Sequence, residues 1–310
     1  MQIGMIGLGK MGENMVRRLL KGRHKVVAYD RLPEKVEEVV RYGAKGAATL
    51  GALVAGLDAP RAVWIMVPAG KPVDDTIDAL KGLLRKGDLI IDGGNSHYKD
   101  DLRHEEELKA AGLEYMDAGV SGGVWGLKEG YCLMIGGDKK LFRRMEPVFK
   151  TLAPKDGYMH CGGVSTGHFV KMVHNGIEYG MMEAYAEGFA LLKSTPRLQG
   201  LDLSKLSHLW NQGSVIRSWL LELMEDAFKK DPGLETLQGY VEDSGEGRWT
   251  VLEAVEAGVP MPVISASLFG RFSSRGLADF SYRVLAAMRH EFGGHAVKTK
   301  DKGRGKVKTG

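Results

Sequence analysis

Six short apolar runs, at residues 2–6, 25–29, 62–67, 88–92, 114–117 and 131–136, punctuate the first 160 residues, with Val26-Val27 and Ile90-Ile91 as typical members. Between them, apolar positions recur at helical spacing over 13–21, 34–42, 73–84, 102–111 and 141–149. Runs that are apolar throughout are what strands covered on both faces look like. Their alternation with helices predicts crossover units around a mostly parallel sheet. The pattern changes near 162–166. Over 166–193 no turn residue interrupts, and Phe169, Val170, Val173, Ile177, Met181, Phe189 and Leu192 follow helical spacing. That stretch predicts one helix of about 40 Å. Further helical patterns at 203–212, 215–229, 248–257 and 280–291 are separated by Gly and Pro, with no strand pattern among them.

The 310 residues leave room for two domains, and 44% apolar with 26% charged residues excludes a disordered chain. No apolar run approaches the ~20 residues of a membrane span, and no basic region precedes Ile3 as in a signal peptide. Cys132 and Cys161 form neither a metal-ligand cluster nor a disulfide framework, so no metal and a reducing cytoplasm are expected. Cys132 sits in an apolar run and reads as buried packing. The net charge of +4 resides in a basic tail, where Lys298, Lys300, Lys302, Arg304, Lys306 and Lys308 face only Asp301. The remainder is close to neutral, and the tail lacks aromatics, so a nucleic-acid partner is not expected.

Directly after the first apolar run comes Gly7-Leu8-Gly9-Lys10-Met11-Gly12, followed at once by a helical pattern. Alone, G-x-G-x-x-G is weak in a chain with 43 glycines. Between a strand and a helix it provides the tight turn, close backbone approach and helix N-terminus that a pyrophosphate needs. The second run ends at Asp30, 23 residues after Gly7, where a carboxylate accepts hydrogen bonds from an adenosine ribose and repels a 2′-phosphate. NAD is the expected cofactor; Arg31, next to Asp30, keeps NADP open. Val67, Pro68 and Ala69, at the end of the third run, join the expected cofactor contacts. The fold class is therefore α/β: a Rossmann-type domain with a mostly parallel sheet over 1–164, an all-α domain over 165–297 joined by the long helix, and a tail over 298–310.

Two further strand ends carry polar turns, Asp92-Gly93-Gly94-Asn95-Ser96 and Asp117-Ala118-Gly119-Val120-Ser121-Gly122-Gly123. Ligands of open parallel sheets bind at the carboxyl ends of strands, which aims both turns at the nicotinamide end of the cofactor. On the long helix, Lys171, His174, Asn175 and Glu178 stand at i, i+3, i+4 and i+7, an arc of about 100° on one face. A base, an imidazole, an amide and an acid in one stripe differ from the repeated charges of a solvated face. A lysine and a carboxylate beside a nicotinamide suggest proton abstraction from an alcohol and a second protonation elsewhere on the substrate. Burial lowers the amine from its ordinary value of about 10.4 toward that of a working base.

Through Gly93–Ser96, Ser121–Gly123, 171–179, 247–250 and 289–295, the chain resembles the decarboxylating 6-phosphogluconate dehydrogenases, in particular their short, often NAD-preferring branch. The resemblance implies oxidation and decarboxylation of a phosphorylated sugar acid, with Lys171 as general base and acid and Glu178 as proton donor to the enediol. It implies substrate contacts from Asn95, Ser121, Gly122, Gly123, His174, Asn175 and Tyr179, with Arg271, Arg289 and His295 on the phosphate. It also implies a homodimer or higher homo-oligomer with a shared active site. One position departs from the longer members: Ser244 stands where they carry a phosphate-binding lysine, with Arg248 as a replacement. Two other readings stay open on the residues. One is a dehydrogenase of a small unphosphorylated hydroxy acid such as 3-hydroxyisobutyrate; the other is a non-enzymatic nucleotide-binding protein.

Overall fold

The computed structural model describes residues 1–293 together with Ala296 and Lys298. The expectations for His295 and for the tail beyond Lys298 lie outside the described residues.

In chain order the elements begin with β1 (Gln2–Ile6), α1 (Lys10–Lys21), β2 (Lys25–Tyr29), α2 (Pro33–Val40), β3 (Lys45–Gly46), α3 (Leu50–Ala55), β4 (Ala62–Ile65) and α4 (Lys71–Lys81). They continue with β5 (Leu89–Asp92), α5 (Tyr98–Ala110), β6 (Glu114–Ser121), α6 (Gly126–Glu129), β7 (Cys132–Gly137), α7 (Lys139–Leu152) and β8 (Tyr158–Gly162). The helical part consists of α8 (Thr166–Ser194), α9 (Leu203–Trp210), α10 (Trp219–Lys230), α11 (Glu246–Glu256), α12 (Pro262–Ser274) and α13 (Asp279–Gly293). By packing, the described residues form two units: residues 1–178 with 245–260, and residues 179–244 with 261–293.

In the first unit, eight strands form one sheet in the order β3-β2-β1-β4-β5-β6-β7-β8, parallel except where β7 runs against β6. Alternation along each strand sends side chains to two separate cores. Ile3, Met5, Val26, Trp64 and Ile91 point to one face, where α1 and α7 contribute Met15, Leu19, Val148 and Phe149. Ile6, Val27, Val63, Ile65 and Ile90 point to the other, under Leu53 of α3, Ile77 and Leu80 of α4 and Leu108 of α5. Burial on both faces explains why these strands read as unbroken apolar runs. α11 belongs to this unit as well: Thr250 Oγ1 donates to the Met172 carbonyl at 2.8 Å, and Trp249 packs edge-on to His97 at 4.7 Å. The packing division thus falls inside α8, whereas the 164/165 division read from the sequence follows the last change in secondary structure.

In the second unit, Phe189 of α8, Leu221 and Phe228 of α10, with Trp210 of α9 against them, form a small core. The pattern over 215–229 begins as a helix only at Trp219, because Ser218 caps it by accepting from the Leu221 N–H at 3.1 Å.

Five elements carry no sequence signal that foretells them, the one-turn α6 among them. β3 and α3 are too short to show a period. β8 is an edge strand of polar composition (Tyr158-Met159-His160-Cys161-Gly162), and α12 is rich in Ser and Gly, held by burial of Ser267, Leu268 and Arg271. Cys132 corrects an expectation: it is exposed. It opens β7 opposite Ser121.

Candidate active site

β1 pairs with β2 on one side and β4 on the other, so the crossovers on either side of it diverge and leave a crevice at the carboxyl ends of the strands. A cleft of about 840 Å³ lies there. Its walls include Gly7, Gly9, Lys10, Met11 and Gly12, Asp30 and Arg31 after β2, Val67, Pro68 and Ala69 after β4, and Asn95 after β5. Gly7 adopts φ 89°, and a Cβ on Gly12 would run into the Gly7 carbonyl oxygen. Only glycine permits that approach of turn and helix. Gly9 opens α1 without a side-chain acceptor, the arrangement that suits a pyrophosphate oxygen at a helix N-terminus. The Leu8 side chain, by contrast, is buried, and its contribution is an N–H that donates to Asp30 Oδ2 at 2.6 Å. Asp30 Oδ1 accepts from the Leu32 N–H at 2.9 Å. Each carboxylate oxygen keeps a lone pair for a ribose hydroxyl. These residues fit a dinucleotide.

The chemical groups converge on α8. Lys171 and Asn175 are buried, at 7% and 8% exposure, while His174 and Glu178 are partly open. Lys171 Nζ donates to Asn175 Oδ1, which also lies 3.0 Å from His174 Nδ1. His174 Nε2 is 3.3 Å from Ser121 Oγ, and Glu178 Oε2 is 3.9 Å from His174 Nδ1. Gly122 and Gly123 turn the chain away from Ser121 with φ of 140° and 52°. The structure therefore brings Ser121, Lys171, His174, Asn175 and Glu178 together. Burial pushes the Lys171 amine below its ordinary value, against the opposing charges of Glu178 and Glu246. A buried amine of lowered basicity and a partly exposed carboxylate on the same helix face are groups able to take one proton and deliver another.

Why α8 reaches so far into the sheet is written in glycines. A Cβ on Gly119 would lie 2.8 Å from the Gly167 carbonyl oxygen and nearer still to Lys171 Cβ. The first turn of α8 is capped from elsewhere: Asp117 accepts from the Ser165 and His168 N–H groups, each at 2.8 Å.

Sequence reading passed over several groups. Glu246, at the start of α11, is buried, and nothing local distinguishes it from a surface carboxylate. Asp92, Asp101 and His168 are buried with ligand atoms within 4.8 Å of one another, a spacing a metal trio would share. Here His168 Nδ1 bonds both Asp101 oxygens, at 3.0 and 2.8 Å, so the ring itself brings the positive charge. Burial disfavours that charge, but Asp101, with Asp92 and Asp117, overrides it and raises the ring to about 10.

In the second unit, Tyr179, Ser244 and Arg271 form a cluster. The Ser244 N–H donates to the Tyr179 hydroxyl at 3.1 Å, and the Arg271 guanidinium stacks 3.6 Å from the Tyr179 ring centre. Arg271 Nη1 donates to the Glu242 carbonyl at 2.7 Å. Arg289 sits on α13 with its side chain exposed.

A dinucleotide cleft at the β1 switch point, in a sheet flanked by the lysine-bearing helix α8, is the layout of a nicotinamide-dependent dehydrogenase. Residues 2–163 match the NAD binding domain of 6-phosphogluconate dehydrogenase, and residues 167–280 match that enzyme's C-terminal domain. The chain belongs to the 6-phosphogluconate dehydrogenase family. The NAD(+)-dependent, decarboxylating enzyme of Haloferax volcanii is 44% identical over 303 residues, covering 97% of this chain and all of that one. The Bacillus subtilis NAD(+)-dependent enzyme is 36% identical over 88% of this chain and 61% of its own longer length. Among solved structures, Plasmodium falciparum 6-phosphogluconate dehydrogenase aligns with a TM-score of 0.81 at 31% identity, over 97% of this chain and 67% of that one. Mycobacterium tuberculosis 3-hydroxyisobutyrate dehydrogenase, at 23% identity, TM-score 0.69 and coverage of 90% and 94%, shares the fold.

Proposed function

We propose that the chain oxidises and decarboxylates 6-phospho-D-gluconate to D-ribulose 5-phosphate and CO2 with reduction of NAD, as a cytoplasmic enzyme of the pentose phosphate pathway. The observation that carries this is the buried Lys171 two turns ahead of the half-exposed Glu178 on one face of α8. A simple alcohol dehydrogenation needs only the first of these groups. The 44% identity to an NAD(+)-dependent relative along its full length supports the same reading.

Bound NAD supplies the acceptor for the hydrogen and electron pair leaving C3 of the substrate. Lys171, whose amine burial makes easier to deprotonate, takes the proton of the C3 hydroxyl in its neutral form. The resulting ammonium then donates toward the C3 ketone oxygen as the carboxylate leaves as CO2, doing the work that a metal ion does in other β-decarboxylases. Glu178 gives a proton to C1 of the enediol while the Lys171 amine takes the proton of the adjacent hydroxyl, which becomes the ketone of the product. Asn175 holds the Lys171 amine through its Oδ1, and His174, placed between Ser121, Asn175 and Glu178, faces the substrate hydroxyls. Asn95, Gly122 and Gly123 complete the sugar-acid contacts. Arg271 and Tyr179 bind the phosphate. Guanidinium geometry suits that dianion, and a small unphosphorylated acid would have no use for it.

The enzyme is a homodimer or higher homo-oligomer, with Arg289 reaching the phosphate of a neighbouring subunit; His295, to which the resemblance gives the same role, lies outside the described residues. Exposure of Phe269, Leu277 and Phe280 in the second unit supports an apolar interface. Lys171→Met is expected to abolish reduction of NAD by 6-phosphogluconate while leaving NAD affinity, read by calorimetric titration, nearly intact. Substantial turnover in that variant refutes the assignment.

A further inference from the structure

Asp92, the last residue of β5, and Asp117, within β6, stand in direct register on neighbouring strands, and both are fully buried. Each spends its two oxygens on one functional segment. Asp92 accepts from the Gly94 N–H at 3.0 Å and the Ser96 hydroxyl at 2.5 Å, which fixes the turn on either side of Asn95. Asp117 accepts from the Ser165 and His168 N–H groups, which fixes the first turn of α8, one turn before Lys171. A third buried carboxylate, Asp101 of α5, accepts from the Tyr115 hydroxyl at 2.8 Å. Three carboxylates this close and this dry repel one another unless a cation sits among them. The buried His168 ring is the cation here. It donates from Nδ1 to Asp101, and Asp92 lies within 4.8 Å of the ring's ligand atoms as a through-space partner. No step of the mechanism uses His168.

We propose that His168 is a positioning residue: clamped by Asp101 and flanked by Asp92 and Asp117, it locks the Asn95 turn and the Lys171 turn into one unit. The proposal rests on the function argued above. Without the ring charge, the carboxylates relax or take up protons, and their grip on both backbone segments loosens. The base and the substrate contact then lose their set separation. An error of about 1 Å at a reacting group costs on the order of 100-fold in rate.

The test uses the full chain with His168→Gln, which keeps a donor near Asp101 and removes the charge, and Asp101→Asn as a second variant should the first not fold. Hydrogen exchange is read at the amides of 93–96 and 165–171. Both segments are expected to exchange faster together in either variant, by about tenfold or more, while the α4 amides keep their protection. Loosening of one segment alone, or of neither, overturns the proposal whatever the substrate is. Kinetics supply the second reading: kcat for 6-phosphogluconate should fall about 10- to 100-fold. With substrate deuterated at C3, the isotope effect on kcat should rise, because the chemical step becomes slower. A fall in kcat with an unchanged isotope effect marks a smaller folded fraction and overturns the positioning role. Failure of the unaltered enzyme to turn over this substrate refutes the functional reading instead, and the exchange experiment then decides the proposal by itself.

Discussion

Gly119→Ala tests how tightly catalysis depends on the approach of α8 to the sheet. The added methyl would lie 2.8 Å from the Gly167 carbonyl oxygen and 3.1 Å from Lys171 Cγ, with Lys171 Cβ closer than either. Ordinary carbon contacts begin near 3.4 Å. Clearing the carbonyl alone therefore needs over half an ångström, and clearing Lys171 Cβ about 1 Å. The obstacles are helix backbone and the root of the lysine, neither of which can swing aside. Gly119 pairs with Met134 in the middle of the β6–β7 ladder, so the strand cannot yield easily either. Overpacking of this kind costs roughly 1–3 kcal/mol, and a 1 Å displacement of a catalytic base costs on the order of 100-fold in kcat. The expected result is a folded protein with a somewhat lowered Tm, NAD affinity close to the unaltered value, and kcat reduced about 100-fold. Initial rates of reduced nicotinamide formation, thermal unfolding and calorimetric titration with NAD read the three quantities. A variant with kcat within about threefold of the original would refute the claim that this glycine sets the position of Lys171.

Other perturbations probe the cofactor, the buried charges and the assembly. Asp30→Ala should narrow the kcat/KM preference for NAD over NADP by roughly tenfold or more, since a carboxylate beside a 2′-phosphate repels it; an unaltered enzyme that prefers NADP would show that Arg31 outweighs Asp30. His168 is raised from 6.5 to about 10 in the fold, so its proton stabilises the native state fully below pH 6.5, and that contribution is lost as pH rises toward 10. Denaturant unfolding should show stability declining across that window, by up to about 1.4 kcal/mol per pH unit from this group, and a flatter slope in His168→Gln; identical slopes would sink the assignment. Mixing inactive Lys171→Met with inactive Arg289→Ala under subunit exchange should restore part of the activity if sites are shared. No recovery, with exchange demonstrated separately, would place each site within one chain.

The sequence by itself determined the alternation of strands and helices, the dinucleotide turn and the stripe on α8, because each is a local pattern. A strand covered on both faces must be apolar throughout. A pyrophosphate turn must be glycine-rich at fixed spacing, and Lys171, His174, Asn175 and Glu178 share a face by helical geometry alone. Tertiary structure decided what those groups meet. Ser121 comes within reach of His174 through a strand ending 53 residues upstream, and Ser244 finds Tyr179 across 65 residues. No periodicity encodes such pairings. The same holds for His168, Asp101 and Glu246, whose letters are those of ordinary surface residues until packing removes the water around them. Packing then makes a fixed cation of the histidine and lowers the basicity of the lysine. Cys132 is the converse case: it stands in an apolar run of the sequence yet is exposed at the start of β7, because exposure depends on which elements pack around a residue and not on the residues beside it in the chain.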